Sequence, residues 1–196
     1  IILRMISSET GITYGELRKG DIADWDLLIE SMTRLKYSPI HIIDKRGLGV
    51  NAIKAESRKL KMEFPELSCI AVDYVQLVQA SRRMGSREQE VADVCRNLKV
   101  LAGELEIPIL ICSQINRQHE RNGGDRRPAL SALRESGELE QTADFICFLY
   151  RDDYYDEQSE EEGMCEILIK KNRNGPTGTV KLEFEKETMT FKTFWG

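Results

Sequence analysis

Three short apolar runs constrain what this chain can fold into more than any other feature: Cys69–Val72, Ile107–Cys112 and Phe145–Tyr150. Each is of strand length, and an unbroken apolar run of that size suits a strand covered on both faces. Between the first two lies the best-signalled helix. Ser86 followed by Gln89 makes a capping-box pattern, and Val91, Val94, Leu98, Leu101 and Leu105 recur at three- and four-residue steps. Strand, helix, strand at this spacing predicts parallel βαβ units.

Upstream, Trp25, Leu28, Ile29, Met32 and Leu35 recur at helical spacing behind Asp24, a candidate N-cap. Ile40-His41-Ile42-Ile43 reads as a strand, and Val50, Ile53, Leu60 and Phe64 as a weaker helical stripe ended before Pro65. Downstream, a loop holding Gly123, Gly124 and Pro128 precedes a short helix near Glu138 to Thr142. Ile167–Ile169, Thr179–Phe184 and Met189–Phe191 then predict antiparallel strands, two of them a closing hairpin. The expected fold is α/β: a largely parallel sheet flanked by helices, with a C-terminal antiparallel hairpin. At 196 residues, 41% hydrophobic, the chain suffices for one domain, 1–196.

Composition excludes several classes. No stretch approaches the roughly 18 uninterrupted apolar residues of a membrane span. Ile1–Met5 lacks the charged start and apolar core of a signal peptide, and with no initiator Met, further residues are expected upstream. The five cysteines are scattered without a C-x-x-C pair, which predicts reduced, structural thiols and a cytoplasmic protein. His41 and His119 have no neighbours that suggest a metal site.

Net charge is −5, but seven acids and no base lie between 152 and 163, and elsewhere bases outnumber acids. That acidic run reads as a solvated, mobile loop. Arg117, Arg121, Arg126, Arg127 and Arg134 face only Glu120 and Asp125 between 117 and 134. A polyanion senses such a local patch rather than the global sum, although a solvated surface is the plainer reading.

Open α/β sheets bind ligands at the carboxyl ends of their strands, so chemistry is sought just past each apolar run. Asp73 follows Cys69–Val72. A carboxylate there suits the hydrated Mg²⁺ of a nucleoside triphosphate, or it bonds loop backbone; the residues alone leave both open. Ser113 and Gln114 follow the second run. In Ser113-Gln114-Ile115-Asn116-Arg117 the two amide side chains, Gln114 and Asn116, could sense a γ-phosphate or satisfy backbone groups in the turn. Lys171 and Arg173 stand two residues apart, on one face if the strand persists, before the turn Asn174-Gly175-Pro176-Thr177-Gly178. Paired cations suit phosphate oxygens, and a decorated strand edge is the alternative. Arg134-Glu135-Ser136-Gly137 could contact a phosphate backbone.

Taken in order, these fragments resemble the DnaB helicase family. The resemblance runs through Ile70-Ala71-Val72-Asp73-Tyr74-Val75-Gln76-Leu77, Ser86–Glu90, Pro108–Arg117, Arg127–Gly137, Glu140–Asp144, Tyr150–Tyr155 and Lys171–Gly178. It is strong from about 70 to 184. It implies a RecA-like P-loop NTPase core assembled as a homo-hexamer that uses ATP and Mg²⁺ to unwind DNA at the replication fork. It implies that Asp73 is the Walker B acid holding Mg²⁺ through water, and Gln114 the γ-phosphate sensor. Arg134, Glu135 and Gly137 would grip single-stranded DNA. Arg173 would be the arginine finger and Lys171 its partner, both acting on the adjacent subunit's ATP. Primase and a helicase loader are the implied protein partners.

One departure matters. No G-x-x-x-x-G-K-[S/T] occurs in these residues, nor a match to the family's water-polarising glutamate, its helical collar or the linker. The chain is therefore expected to be the distal part of the motor domain, unable to hydrolyse ATP alone. A recombination or repair ATPase on the same core, or a non-catalytic DNA-binding or loader module, are the alternatives.

Overall fold

The computed structural model describes residues 1–45, 47–115, 126–156 and 158–194, with the backbone alone at 134–136. The chain forms two compact units. One comprises Ile1–Ile43, Cys147–Ile169 and Thr177–Gly196; the other comprises Asp44–Ile146 and Lys170–Pro176.

The second unit carries the central βαβ. Helix α4 (Val50–Glu63), strand β1 (Ile70–Val72), helix α5 (Arg87–Leu105), strand β2 (Ile109–Ile111) and the short helix α6 (Gly137–Thr142) follow in order. β1 and β2 are parallel, with Ile70 opposite Ile109 and Val72 opposite Ile111. Val91, Val94, Cys95, Leu98 and Leu101 form the buried stripe of α5. They pack with Val50, Val72, Val75, Val78 and Leu139 into one core, each large aliphatic contributing roughly 1.5–3 kcal/mol by leaving water. Ser86 caps α5 by accepting from the Gln89 amide at 3.3 Å, while the Gln89 side chain turns instead to the Gly85 amide. α5 ends at Glu106, which takes the left-handed conformation at φ 54.

The first unit contains α1 (Ile2–Thr10), α2 (Tyr14–Lys19) and α3 (Trp25–Tyr37). It also holds most of a sheet ordered β3-β4-β5-β6, whose strands are Phe145–Tyr150, Met164–Asn172, Gly178–Glu185 and Thr190–Thr193. β4–β5 and β5–β6 are antiparallel, so the expected hairpin is present within a larger meander.

Four expectations change. Helices α1 and α2 were not anticipated, although Thr13 and Glu16 form a reciprocal capping box and Gly11 and Gly20 close both helices in the left-handed region. Ile40–Ile43 does not form a strand: it has no regular secondary structure, its Ile40 amide turns back to the Ser38 carbonyl at 2.8 Å, and Ile40, Ile42 and Ile43 are exposed. The α3 stripe is split: Leu28 is buried while Trp25, Ile29 and Met32 are exposed, and Glu9 of α1 accepts from Ser31 at 2.7 Å and Arg34 at 2.5 Å. The apolar runs are covered on one face only: Ala71 and its register partner Leu110 are exposed, as are Phe145 and Leu149.

Candidate functional site

The ladder between β1 and β2 continues past their ends. The Cys112 amide donates to the Val72 carbonyl and the Val75 amide to the Cys112 carbonyl, both at 3.0 Å. Asp73 and Ser113-Gln114 are thereby held side by side at the carboxyl tips of the parallel pair. Asp73 is exposed there rather than buried. Burial pushes the Cys112 thiol up from its usual range, and the Asp73 carboxylate adds to the effect, so the acid's field reaches the neighbouring strand tip.

Gln76 joins the two tips. Its Nε2 donates to Ser113 Oγ at 2.9 Å and to the Gln114 carbonyl at 3.1 Å, and its Oε1 accepts from the Gln114 amide at 3.2 Å. With its backbone fixed from both sides, Gln114 is exposed, its carboxamide without a partner among the described residues. Arg87 at the start of α5 steadies the same turn, donating to the Gln76 carbonyl at 2.5 Å and to Glu90 at 2.7 Å. Gln76 and Arg87 lie inside the segments that carry the resemblance, but spacing alone gives no sign of their brace.

Lys171 and Arg173 form a second cluster, around the carboxyl end of α6. Lys171 Nζ donates to the carbonyls of Glu140 at 2.5 Å and Gln141 at 3.3 Å. Arg173 Nη2 donates to the same Gln141 carbonyl at 3.0 Å, and Nη1 to Asp144 Oδ1 at 2.8 Å. A helix end leaves carbonyls without intrahelical partners and carries partial negative charge, so two cations settle there readily. Lys99 of α5 holds the other oxygen of Asp144. That bond, ahead of the charges of Lys99 and Arg173, keeps the Asp144 carboxyl below its usual range against the opposing cost of burial. Asp144 and Lys99 were not anticipated as site residues.

Among the described residues, no contact joins the strand-tip cluster to the cation cluster. Gly137 is the first residue of α6 and is exposed. The side chains of Arg134 and Glu135 lie outside what is described, as do Arg117 and Arg121 of the basic patch. No group of three His, Cys, Asp or Glu converges among the described residues. Asp73 offers an exposed carboxylate at the strand tip, a donor that fits a cation retaining most of its water.

The sequence profile of the DnaB-like helicase C terminal domain matches residues 1–193. The chain is 44% identical over 194 residues to the replicative DNA helicase DnaC of Bacillus subtilis (strain 168), and 44% identical over 194 residues to the replicative DNA helicase DnaB of Geobacillus stearothermophilus. Each match covers 97% of this chain but 42% of the relative, so the chain spans less than half of their length. Among solved structures it is similar to one described as an ATPase domain, with TM-score 0.93 and 39% identity over 98% of this chain and 69% of that one. It is equally similar to a DnaB-like replicative helicase described together with its interactions with primase. There the TM-score is 0.93 and the identity 39%, over 99% of this chain and 48% of that one.

Proposed function

Because this chain belongs to the DnaB-like helicase C-terminal domain family, we propose that it is the distal part of the motor of a replicative DNA helicase. Its fold is the α/β, RecA-like core of its solved relatives. The motor hydrolyses ATP as a homo-hexameric ring, moves along single-stranded DNA in the cytoplasm and parts the duplex at the replication fork. Primase is a partner by analogy with the solved relative described with it, and a loader closes the ring on DNA.

One observation carries the reading. A carboxylate and an amide stand at adjacent parallel strand tips, while a Lys–Arg pair is organised in a separate cluster. Phosphoryl transfer asks the protein for positioning and for neutralisation of developing charge. Asp73 would hold Mg²⁺ through water, and Gln114 would meet the terminal phosphate of ATP bound to its own subunit. Bound Mg²⁺ supplies neutralisation of the phosphate oxygens. Arg173, with Lys171 beside it, would offer N–H donors to the phosphates held by the neighbouring subunit. The separation of the two clusters supports such a division of labour and makes hydrolysis conditional on ring assembly. Arg134, Glu135 and Gly137 would contact sugar and phosphate rather than base edges, as a motor indifferent to sequence requires.

Arg173→Ala in the full-length hexamer tests the reading. DNA-stimulated turnover should fall by about 10³–10⁵-fold while ATP binding, measured by equilibrium titration, is retained. Unchanged turnover would remove Arg173 from the chemistry.

A further inference from the structure

Arg173 does not hang freely from the turn that carries it. Its backbone amide donates to the Asp144 carbonyl at 2.9 Å, and its guanidinium meets the Asp144 carboxylate and the Gln141 carbonyl. The turn itself is closed by Asn172, whose Nδ2 donates to the Pro176 carbonyl at 3.1 Å while its Oδ1 accepts from the Asn174 amide at 3.3 Å. Lys99, from the opposite side, occupies the other carboxylate oxygen of Asp144. Main chain and guanidinium are thus fixed by residues at or just past the end of α6, and the turn by its own Asn172.

The exposure of this cluster argues against a role confined to stability. The side chains of Arg173 and Asp144 are both 49% exposed, and ion pairs so open to water add little to folding stability. The geometry does something else. A guanidinium has five N–H donors in a rigid plane. Two are engaged, and the other three, Nε–H among them, have no partner among the described residues.

We propose that Asp144 is a positioning residue for Arg173: with the Gln141 carbonyl, it sets the plane of the guanidinium so that the unengaged N–H donors face the phosphate oxygens of a nucleoside triphosphate. This rests on the reading of Arg173 given above and adds the group that aims it. Misplacement of a catalytic group by about 1 Å can cost about 10²-fold in rate, far more than an exposed ion pair contributes to folding.

The test uses the full-length hexamer with single-stranded DNA. Asp144→Asn, nearly isosteric, should lower kcat by about 10²-fold and leave KM for ATP unchanged. Affinity for ADP–aluminium fluoride, which imitates the transferring phosphoryl group, should fall in parallel while affinity for ADP alone holds. In an Arg173→Ala background the same substitution should cost nothing more in either readout. Arg96→Ala, which removes the Arg96–Glu138 pair at the other end of α6, should leave kcat intact.

Parental kcat and fluoride-complex affinity in Asp144→Asn would overturn the proposal. So would losses that add to those of Arg173→Ala, or an equal loss in Arg96→Ala, since each makes Asp144 a support of the fold. If Arg173→Ala itself leaves turnover unchanged, the underlying functional reading fails first. A large effect of Arg173→Ala beside a silent Asp144→Asn sinks the positioning role alone.

Discussion

Asp153 is the residue whose behaviour departs most from what its neighbours in sequence suggest. It lies in the acidic run, yet its side chain is 4% exposed and is gripped by Lys186 at 2.8 Å and Arg151 at 3.1 Å, with the Gly163 amide at 3.2 Å. Burial alone would raise its pKa; the bonds from Lys186 and Arg151 and the Gly163 amide outweigh that and bring it to about 2. A depressed carboxylate stabilises the folded state above its unfolded pKa, and that contribution disappears as pH falls through the folded one. Asp153→Asn should therefore cost roughly 2 kcal/mol at pH 7, read from the urea midpoint. The difference between variant and parent should close as pH drops from about 4 to about 2. An equal gap at both ends of that range would show that the charge is not what stabilises. The run is a folded turn rather than the loose loop expected: Tyr155 stacks on Tyr150 with centroids 5.8 Å apart, and Ser159 donates to Asp152 at 2.7 Å. Sequence could place Asp73 and Gln114 because each ends an apolar run. It could not find the partners of Asp153, because Lys186 is remote in the chain and only the sheet brings it near.

At the scale of the element, α5 shows what periodicity reads well and what it misses. Its N-cap and its buried stripe follow from Ser86 and from the spacing of Val91, Val94, Leu98 and Leu101. Its end does not, because Glu106 occupies a left-handed position that glycine fills at the ends of α1 and α2. A residue with a Cβ pays roughly 1 kcal/mol there. Glu106→Gly should accordingly stabilise the protein by about 0.5–1 kcal/mol, measured by denaturant unfolding; a loss of stability would mean that the glutamate side chain has a role its exposure does not reveal. Ile40–Ile43 teaches the reverse lesson. An apolar run encodes a strand only where another backbone lies alongside, and a pattern of side chains carries no information about that neighbour. The exposed faces of β1 and β2 have the same origin: a continuous apolar sequence is necessary for two-sided cover and does not itself provide the second layer.

For the whole molecule, the ordered series of segments from Ile70 to Gly178 makes the family legible from the residues alone. Individual roles are less so, since each fragment by itself has an ordinary structural use. The proposed contacts to DNA illustrate the gap: Arg134→Ala in the full-length protein should weaken single-strand binding equally across sequences and reduce the salt slope by about 1. Titrations on homopolymers at several salt concentrations would measure it, and a loss confined to one base composition would mean base readout. The short helix α6 ties these scales together. Lys171 and Arg173 share the Gln141 carbonyl at its far end, and Gly137 begins it. Six residues make a rod of only about 9 Å, so a displacement of that rod would disturb the resting contacts of both cations at once, and a pull on the glycine at one end would be felt at the other.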